Sequence, residues 1–321
     1  MDTLLSVIIP TYNDADKIIR CLDSVLNQAN RDYYEVIVVN DGSTDETADI
    51  LKKYKGDILV LNQKNGGVSS ARNNGIAHAR GRYLWFVDAD DSISSNSIDP
   101  GLISVLKKNY DMILFGFKKV VGHQSSIVKN NSNMVLFGDD VRSNFVSIFT
   151  TNTLNNPWNK MYRKDLIVKN KIKFNDFAVG EDAMFNYEVA PKIKSLCILN
   201  TVKYTYYIEK GKKSKSSYQI SRDNWKDATS RILFLEEMFQ NLNIDINNGV
   251  YNRELVSTVY GAELGLPSSG YLAFKNGLKS MGISSVALKI RTRGLNFNFW
   301  VKYLLIKHPK LFFTVNSYSR K

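Results

Sequence analysis

Residues 1–220 predict an α/β domain built on a mostly parallel sheet flanked by helices, and residues 221–321 predict a helical, basic extension. Three observations carry this. Short runs rich in Val and Ile alternate with helical patterns of about ten residues, the layout of a parallel sheet covered on both faces. Polar motifs bearing Gly and Asp follow those runs directly, at the edge where such sheets bind ligands. Beyond Arg222 the periodicity is helical almost throughout.

The elements follow in order. "LSVIIP" is an apolar run closed by Pro10, and "KIIRCLDSVLNQ" places Ile18, Ile19, Leu22, Val25 and Leu26 at helical spacing. "YEVIVVNDGS" is a second β-rich run ended by Asp-Gly; Ser43 or Thr44 is expected to cap the next helix, whose positive end Glu46 and Asp49 favour. "DILVLNQ" gives a third strand, "GVSSARNNGIAHAR" a third helix and "GRYLWFVDADD" a fourth strand. After the strand "DMILFGFKKV" the alternation weakens: residues 118–135 read as an exposed hairpin or crossing, and Asp139 opens a helix to Phe149. "NKMYRKDLIVKNKIKF" combines a short strand with a helix, "EDAMFNYEVA" is a helix, and "SLCILNTVKYTYYI" is the last strand. The polar, basic, Ser-rich "EKGKKSKSSYQIS" reads as a mobile loop.

Composition narrows the function classes. At 321 residues, 44% apolar and 23% charged, the chain suits a soluble globular protein with a sizeable core. No apolar run approaches the roughly 20 residues that span a bilayer, and the start, with Asp2 and no basic region, lacks the layout of a secretory leader. Cys21 and Cys197 sit far apart in apolar surroundings as core thiols, which suits a cytoplasmic protein, and isolated His78, His123 and His308 give no zinc pattern.

In "YLWFVDADD" a hydrophobic strand runs into three carboxylates. Turns after strands often carry Asp, so a solvated turn is one reading. Asp88 and Asp90, however, would point the same way in extended backbone, and like charges that close call for a cation. Oxygen ligands suit Mg2+ or Mn2+, and two carboxylates hold either ion only with help, most economically from the phosphates of a substrate. "PTYND" ends the first strand, as a turn or a ligand edge; Asp41 in "VVNDGSTDET" caps a turn or accepts the N3 proton of a uracil ring. In "NGGVSSARNNG" paired glycines let backbone approach a ligand, and Arg72 offers a guanidinium to the same edge. Neither GxGxxG nor GxxxxGK[ST] spacing occurs.

Taken together, "SVIIPTYND", "VIVVNDGSTDET", "NGGVSSARNNGI", "YLWFVDADD", "PWNKMYRKDLI" and "VGEDAMF", in order over roughly residues 5–190, resemble the motifs of the family 2 glycosyltransferases, among them bacterial cell-surface and exopolysaccharide enzymes. The resemblance implies a GT-A, Rossmann-like fold and inverting transfer from a nucleotide-sugar donor, a UDP-sugar, to a saccharide or lipid-linked acceptor. It implies that Asp41 binds uracil, that Arg72 lies by the base and phosphates, that Asp88 contacts the ribose, and that Asp90 holds Mn2+ or Mg2+ at the diphosphate. By the same resemblance Pro10, Thr11, Tyr12, Asn13, Gly67 and Ala89 line the nucleotide site, and Asp182 is the catalytic base with Glu181 beside it. Asn40 replaces the commoner Asp before the retained Asp41.

The chemistry agrees with this assignment. Transfer needs a neutralised leaving diphosphate and, on the opposite face of the sugar, a carboxylate to deprotonate the acceptor; Asp182, 92 positions beyond Asp90, is a separate acid for that role, although acids also belong at helix starts. One base with no partner placed as nucleophile predicts inversion. Trp158 either packs or stacks on an acceptor sugar, with Asn159 and Lys160 positioned to hydrogen-bond sugar or phosphate. The basic Lys210–Lys215 stretch and Tyr218 are placed to close over the substrates.

Net charge is +12, and from Leu264 to the end there are ten basic residues and no acid. "NFNFWVKYLLIKHPKLFF" interleaves aromatics with lysines, a pattern for peripheral contact with an anionic membrane, at its cytoplasmic face, or for a terminal helix packed on the protein. An RNA-binding module lacks support: no RNP-type aromatics or GXXG loop occur, and acids crowd the ligand edge, so no nucleic-acid partner is expected. A catalytically idle sugar-nucleotide scaffold is the other alternative; retention of Asp88, Asp90 and Asp182 together speaks against it.

Overall fold

The strand β1 (Leu5–Thr11) is buried along its whole length, as a central parallel strand must be. The computed structural model describes residues 2–149, 153–177, 179–209, 224–264, 266, 275–277, 279, 283, 291, 297–309 and 312. The chain divides into two compact units, Met1–Asp176 with Glu181–Lys212, and Phe177–Gly180 with Lys213–Lys321.

In the first unit α1 (Ile18–Leu26) follows β1 and buries Ile18, Cys21, Leu22 and Val25, the helical face legible in its spacing. Then come β2 (Tyr34–Asn40), α2 (Thr47–Lys52), β3 (Leu59–Asn62), α3 (Gly67–His78) and β4 (Tyr83–Phe86). These strands lie in the order β3-β2-β1-β4, all parallel, with Thr11 beside Asn40 and Asn40 beside Asn62. The carboxyl ends of β1, β2 and β3 therefore finish level, β4 ends at Phe86 beside Ile8, and the loops that follow these four strands leave from one edge. Gly75 sets how closely α3 lies on β1: a Cβ there would fall 2.4 Å from Ile8 Cγ2.

The sheet continues as β4-β9-β6-β10-β5, where β5 is Ser92–Ile93, β6 Met112–Val121, β9 Lys160–Arg163 and β10 Ser195–Ile208. Here the pairing is mixed: β9 runs antiparallel between β4 and β6, whereas β6 and β10 are parallel. The exposed segment after β6 is a hairpin with β7 (Gln124–Val128), and β8 (Met134–Phe137) pairs with β10. Helices α4 (Pro100–Leu106), α5 (Asp139–Ile148), α6 (Lys164–Lys169) and α7 (Glu181–Val189) complete the unit. Trp85 packs edge-on to Phe115 with centroids 5.2 Å apart, and each such fully buried large side chain contributes about 1.5–3 kcal/mol.

Two local expectations change. Neither Ser43 nor Thr44 caps α2; Asp45 Oδ1 accepts from Thr47 N at 3.0 Å, while Ser43 Oγ accepts from Asn13 N at 3.0 Å. The loop after β2 folds against the loop after β1, which draws those hydroxyl-bearing residues away from the helix. The fourth strand stops at Phe86, and Asp88–Asp91 form a turn closed by Asp91 N donating to Asp88 O at 3.0 Å, so Asp88 and Asp90 do not lie in extended backbone.

The second unit is helical among its described residues. Helix α8 (Trp225–Asn241) buries Ala228, Ile232, Leu235, Met238 and Phe239, and α9 (Gly249–Leu264) buries Val250, Leu255, Val256, Val259 and Ala262. Helix α10 (Phe297–Lys307) packs on α9: Ile306 and Phe312 are buried, with Phe312 edge-on to Tyr260 at 5.2 Å. Of the tail pattern, the side chains of Phe297 and Trp300 and the residues Lys310 and Phe313 lie outside what is described, as do Lys210–Lys215 and Tyr218.

Candidate active site

The loops after β1 and β2 are laced together at the sheet's carboxyl edge. Asn13, in left-handed backbone at φ +54°, accepts from Thr44 N at 2.8 Å through Oδ1, and Asp14 N donates to Thr47 Oγ1 at 3.0 Å. Thr11 Oγ1 donates to Asp14 Oδ2, and the Tyr12 ring projects 42% exposed beside them. Pro10 lies in buried β1, so it acts here through backbone and shape.

Asp41 follows β2 and is buried. Its Oδ1 accepts from Gln63 Nε2 and Gly66 N, and its Oδ2 from Gly67 N, all at 2.8 Å. One carboxylate thus folds the paired-glycine loop over the sheet edge. Gly67 sits at φ +83°, a conformation open to glycine at low cost, and among the described residues nothing lies within 4 Å of the place a Cβ would take. Oδ2 keeps acceptor capacity beyond the Gly67 bond, the capacity an imide N–H would use.

Helix α3 carries Arg72 onto the acids. Its guanidinium is 3% exposed; Nη2 donates to Asp88 Oδ1 at 2.9 Å and Nη1 to Asp182 Oδ1 at 2.5 Å, with Glu181 Oε1 at 3.9 Å. The ring of Phe174 lies beneath, 5.0 Å from the guanidinium carbon. Burial pushes the Asp182 carboxyl up to about 7; Arg72 opposes that rise, and Glu181 and Asp88 add to it. Its side chain is nonetheless 30% exposed, so the carboxyl is desolvated and still reachable.

Asp90 also has a raised pKa, first from burial and then from Asp88 and Asp14, with Lys17 pulling the other way. Among the described residues no group of three or more His, Cys, Asp or Glu is arranged to hold a metal alone. The donor set fits a divalent cation that shares its shell with a substrate: hard oxygens, crowded like charges, and no soft ligand.

Three further residues at the site escaped the sequence reading. Asp91 is fully buried, accepting from Tyr204 OH at 2.6 Å and Tyr207 N at 2.8 Å, while Tyr204 OH accepts from Asp88 N at 3.2 Å. The third acid of "DADD" is therefore a strut that fixes the turn to β10, and its carboxyl is pushed well up by burial and by Asp88. Arg20 braces the same turn, donating from Nη2 to Asp90 O over the Tyr207 ring. Gln63 joins Asp41 to Asn74, whose Nδ2 donates to Gln63 Oε1 at 2.7 Å. The tyrosine-rich end of β10 was the available signal for Asp91.

The structure brings Asp41, Gly67, Arg72, Asp88, Glu181 and Asp182 to the sheet edge, Asp41 bonded to Gly67 and Arg72 paired with the three acids, with Asp90 in the adjoining turn. Ala89 is buried, leaving its backbone as the contact available there. Trp158, Asn159 and Lys160 sit elsewhere, in the interior at 5%, 0% and 0% exposure. Trp158 stacks on Tyr204 at 4.6 Å and meets Phe117 edge-on at 4.7 Å, the packing role that was one of its two readings. Lys160 Nζ donates to Thr153 O, Asn156 O and Asn159 Oδ1, so neither side chain offers hydrogen bonds to an acceptor.

Comparison with known proteins follows the same lines. The chain is 34% identical over 212 residues to the uncharacterized glycosyltransferase EpsJ of Bacillus subtilis, covering 64% of this chain and 61% of that one. It is 33% identical over 214 residues to the poly(ribitol-phosphate) beta-N-acetylglucosaminyltransferase TarP of Staphylococcus aureus, covering 64% and 62%. The matches thus span less than two thirds of these relatives' lengths. In fold it resembles the crystal structure of S. aureus TarS 1–349 in complex with UDP-GlcNAc, with TM-score 0.63 and 19% identity over 95% of this chain and 92% of that one. The model of Glycosyl transferase family 2 matches residues 6–179, more than half the chain and the span that supplies the strand-end loops, Arg72 and the acidic turn; the chain belongs to that family.

Proposed function

We propose that this glycosyltransferase moves a sugar from a UDP-sugar to a saccharide or lipid-linked acceptor with inversion at the anomeric carbon, in polysaccharide or glycoconjugate synthesis. The observation that carries the reading is the Arg72 fork, which joins Asp88 on the donor side to Asp182, 110 positions from Arg72 in sequence. The TarP activity and the UDP-GlcNAc complex of TarS support a UDP-sugar donor. The catalytic machinery lies within residues 1–220, and residues 221–321 form the helical extension.

The donor's uracil lies by Asp41 and the Gly66–Gly67 backbone, with Pro10, Thr11, Tyr12 and Asn13 forming the facing wall. Asp88 orients the ribose, and Arg72 lies by the diphosphate. Asp90, with Asp88 beside it, would hold Mn2+ or Mg2+; bound there, the ion supplies charge neutralisation for the departing diphosphate. Asp182, ionised above about pH 7 and held through Oδ1 by Arg72, takes the acceptor hydroxyl proton on Oδ2. The acceptor oxygen forms its bond to the anomeric carbon as the bond to the diphosphate oxygen breaks and its electron pair leaves with the nucleotide. A base poised near neutral pH is the efficient choice for that proton. Glu181, through its charge, keeps the Asp182 carboxyl basic.

Asp182→Asn tests the assignment. Calorimetry of UDP with Mn2+ is expected to give near wild-type affinity, while kcat falls by about a hundred- to ten-thousand-fold. Near-normal kcat would reject Asp182 as the base, and lost UDP binding would move it into the nucleotide site.

A further inference from the structure

The Asp41 carboxylate is pinned in a way that leaves one of its oxygens open. Oδ1 takes two donors, Gln63 Nε2 and Gly66 N, and is filled; Oδ2 takes Gly67 N and keeps room for a further donor. Two of these donors are backbone amides of the glycine loop, which moves with the carboxylate it binds. The other comes from the Gln63 side chain, and that side chain is held independently of the loop.

Gln63 stands one residue past β3, where its N–H donates to Asn40 O at 3.0 Å and carries the β2–β3 pairing onward. From there its side chain reaches α3. A carboxylate only accepts, so the end of the amide that faces Asp41 is the NH2: Nε2 donates to Asp41 Oδ1 at 2.8 Å and to Ser70 Oγ at 3.1 Å. Oε1 then points away from Asp41 and accepts from Asn74 Nδ2 at 2.7 Å. Ser70 and Asn74 lie one turn apart on the same face of α3. By presenting a donor, Asn74 dictates which end of the Gln63 amide meets the carboxylate. Asn74, Gln63 and Asp41 thus form a chain in which the direction of each hydrogen bond is set by chemistry.

We propose that Gln63 and Asn74 are positioning residues for nucleobase specificity: they lock Asp41 so that its open acceptor, on Oδ2, requires a ring N–H from the base. This rests on the reading of Asp41 as the acid that binds uracil. The N3–H of uracil meets the requirement. Cytosine instead presents an unprotonated N3, an acceptor facing an acceptor, and its donor is the N4 amine at another point on the ring edge. A carboxylate free to turn could follow that amine. One whose Oδ1 is tied to Gln63 cannot, so the latch converts a general preference for donors into a choice between bases.

The test compares the affinities of UDP and CDP, measured by calorimetry with Mn2+, in the wild type, Gln63→Leu and Asn74→Asp. The two nucleotides share ribose and diphosphate, so the ratio of their affinities isolates the base edge. The wild type is expected to favour UDP by about ten- to a hundredfold, the effect of a mismatched polar pair. Gln63→Leu keeps the side chain's bulk and removes its donors; the ratio is expected to narrow by about tenfold, with UDP weakened and CDP little changed. Asn74→Asp keeps the shape but offers Gln63 only acceptors, so the amide turns over and sets Oε1 against Asp41. The same narrowing is expected there, and this variant gives the readout should Gln63→Leu fail to fold. Its added charge weakens both nucleotides alike and leaves the ratio to report the base. An unchanged ratio in either folded variant overturns the proposal, because a merely structural role would lower both affinities together or neither. A wild type that binds CDP as well as UDP rejects the uracil reading of Asp41 itself, and the proposal falls with it.

Discussion

Replacing Arg72 with Met removes the guanidinium that three carboxylates share and keeps most of the side chain's length. In the native protein Arg72 is 3% exposed and its fork bonds both Asp88 and Asp182, whose side chains are 26% and 30% exposed. Breaking a buried ion network by deleting one partner costs about 3–5 kcal/mol; discounting for the partly solvated acids gives about 2–4 kcal/mol here. For a protein of this size that corresponds to a melting temperature lower by roughly 3–6 °C. The penalty has a pH signature. Asp182 has a folded pKa raised to about 7, above its unfolded value, so the stability tied to its protonated form is present at low pH and lost as pH rises through about 7. Without Arg72 the acids face one another most strongly when all are ionised, so the loss should be largest near pH 8 and smaller near pH 5.5. Differential scanning calorimetry of both proteins at the two pH values measures it. A penalty that is absent at pH 8, or that grows toward pH 5.5, would show that Arg72 does not hold these acids together.

Other outcomes follow from the same geometry. Asp90→Asn is expected to abolish Mn2+-dependent UDP binding and leave the melting temperature within about 1 °C, because Asp90 lies in a turn beyond the strand; calorimetry with and without Mn2+ checks it. Asp91→Ala should do the reverse in order of effect: loss of the bonds to Tyr204 and Tyr207 destabilises by about 2–4 kcal/mol, and donor affinity falls because the Asp88–Asp91 turn loses its strut, which equilibrium urea unfolding and UDP titration would read. For the acid-free tail we propose binding to vesicles containing anionic lipid, weakened by salt and by Lys307→Glu with Lys310→Glu. Charge reversal is the cleaner perturbation, since truncation would unpack Ile306 and Phe312, and equal sedimentation with neutral vesicles would refute membrane contact.

Much of the first unit was legible because its signals are local. A period of two or of 3.6 in apolar residues identifies an element wherever it later packs, and parallel strands bring the loops after their carboxyl ends to one edge. That is why the strand ends, the paired glycines, Arg72 and the acids could be placed on a common edge from residue order alone. Roles within that edge depend on partners tens to more than a hundred positions away. "DADD" presents three chemically identical carboxylates, and only the docking of β10 turns Asp91 inward to Tyr204 and leaves Asp88 to Arg72. "PWNKMY" by itself leaves Trp158 between core packing and a sugar platform; with β9 inserted between β4 and β6, Trp158, Asn159 and Lys160 are buried. The tail's aromatics and lysines look alike in sequence, yet Phe312 is sealed against Tyr260 and Lys307 stays in solvent. Local pattern thus established which residues could do chemistry and the edge they share. Packing settled which of them face solvent and which are locked, because burial and pairing are set by long-range register that no local pattern encodes.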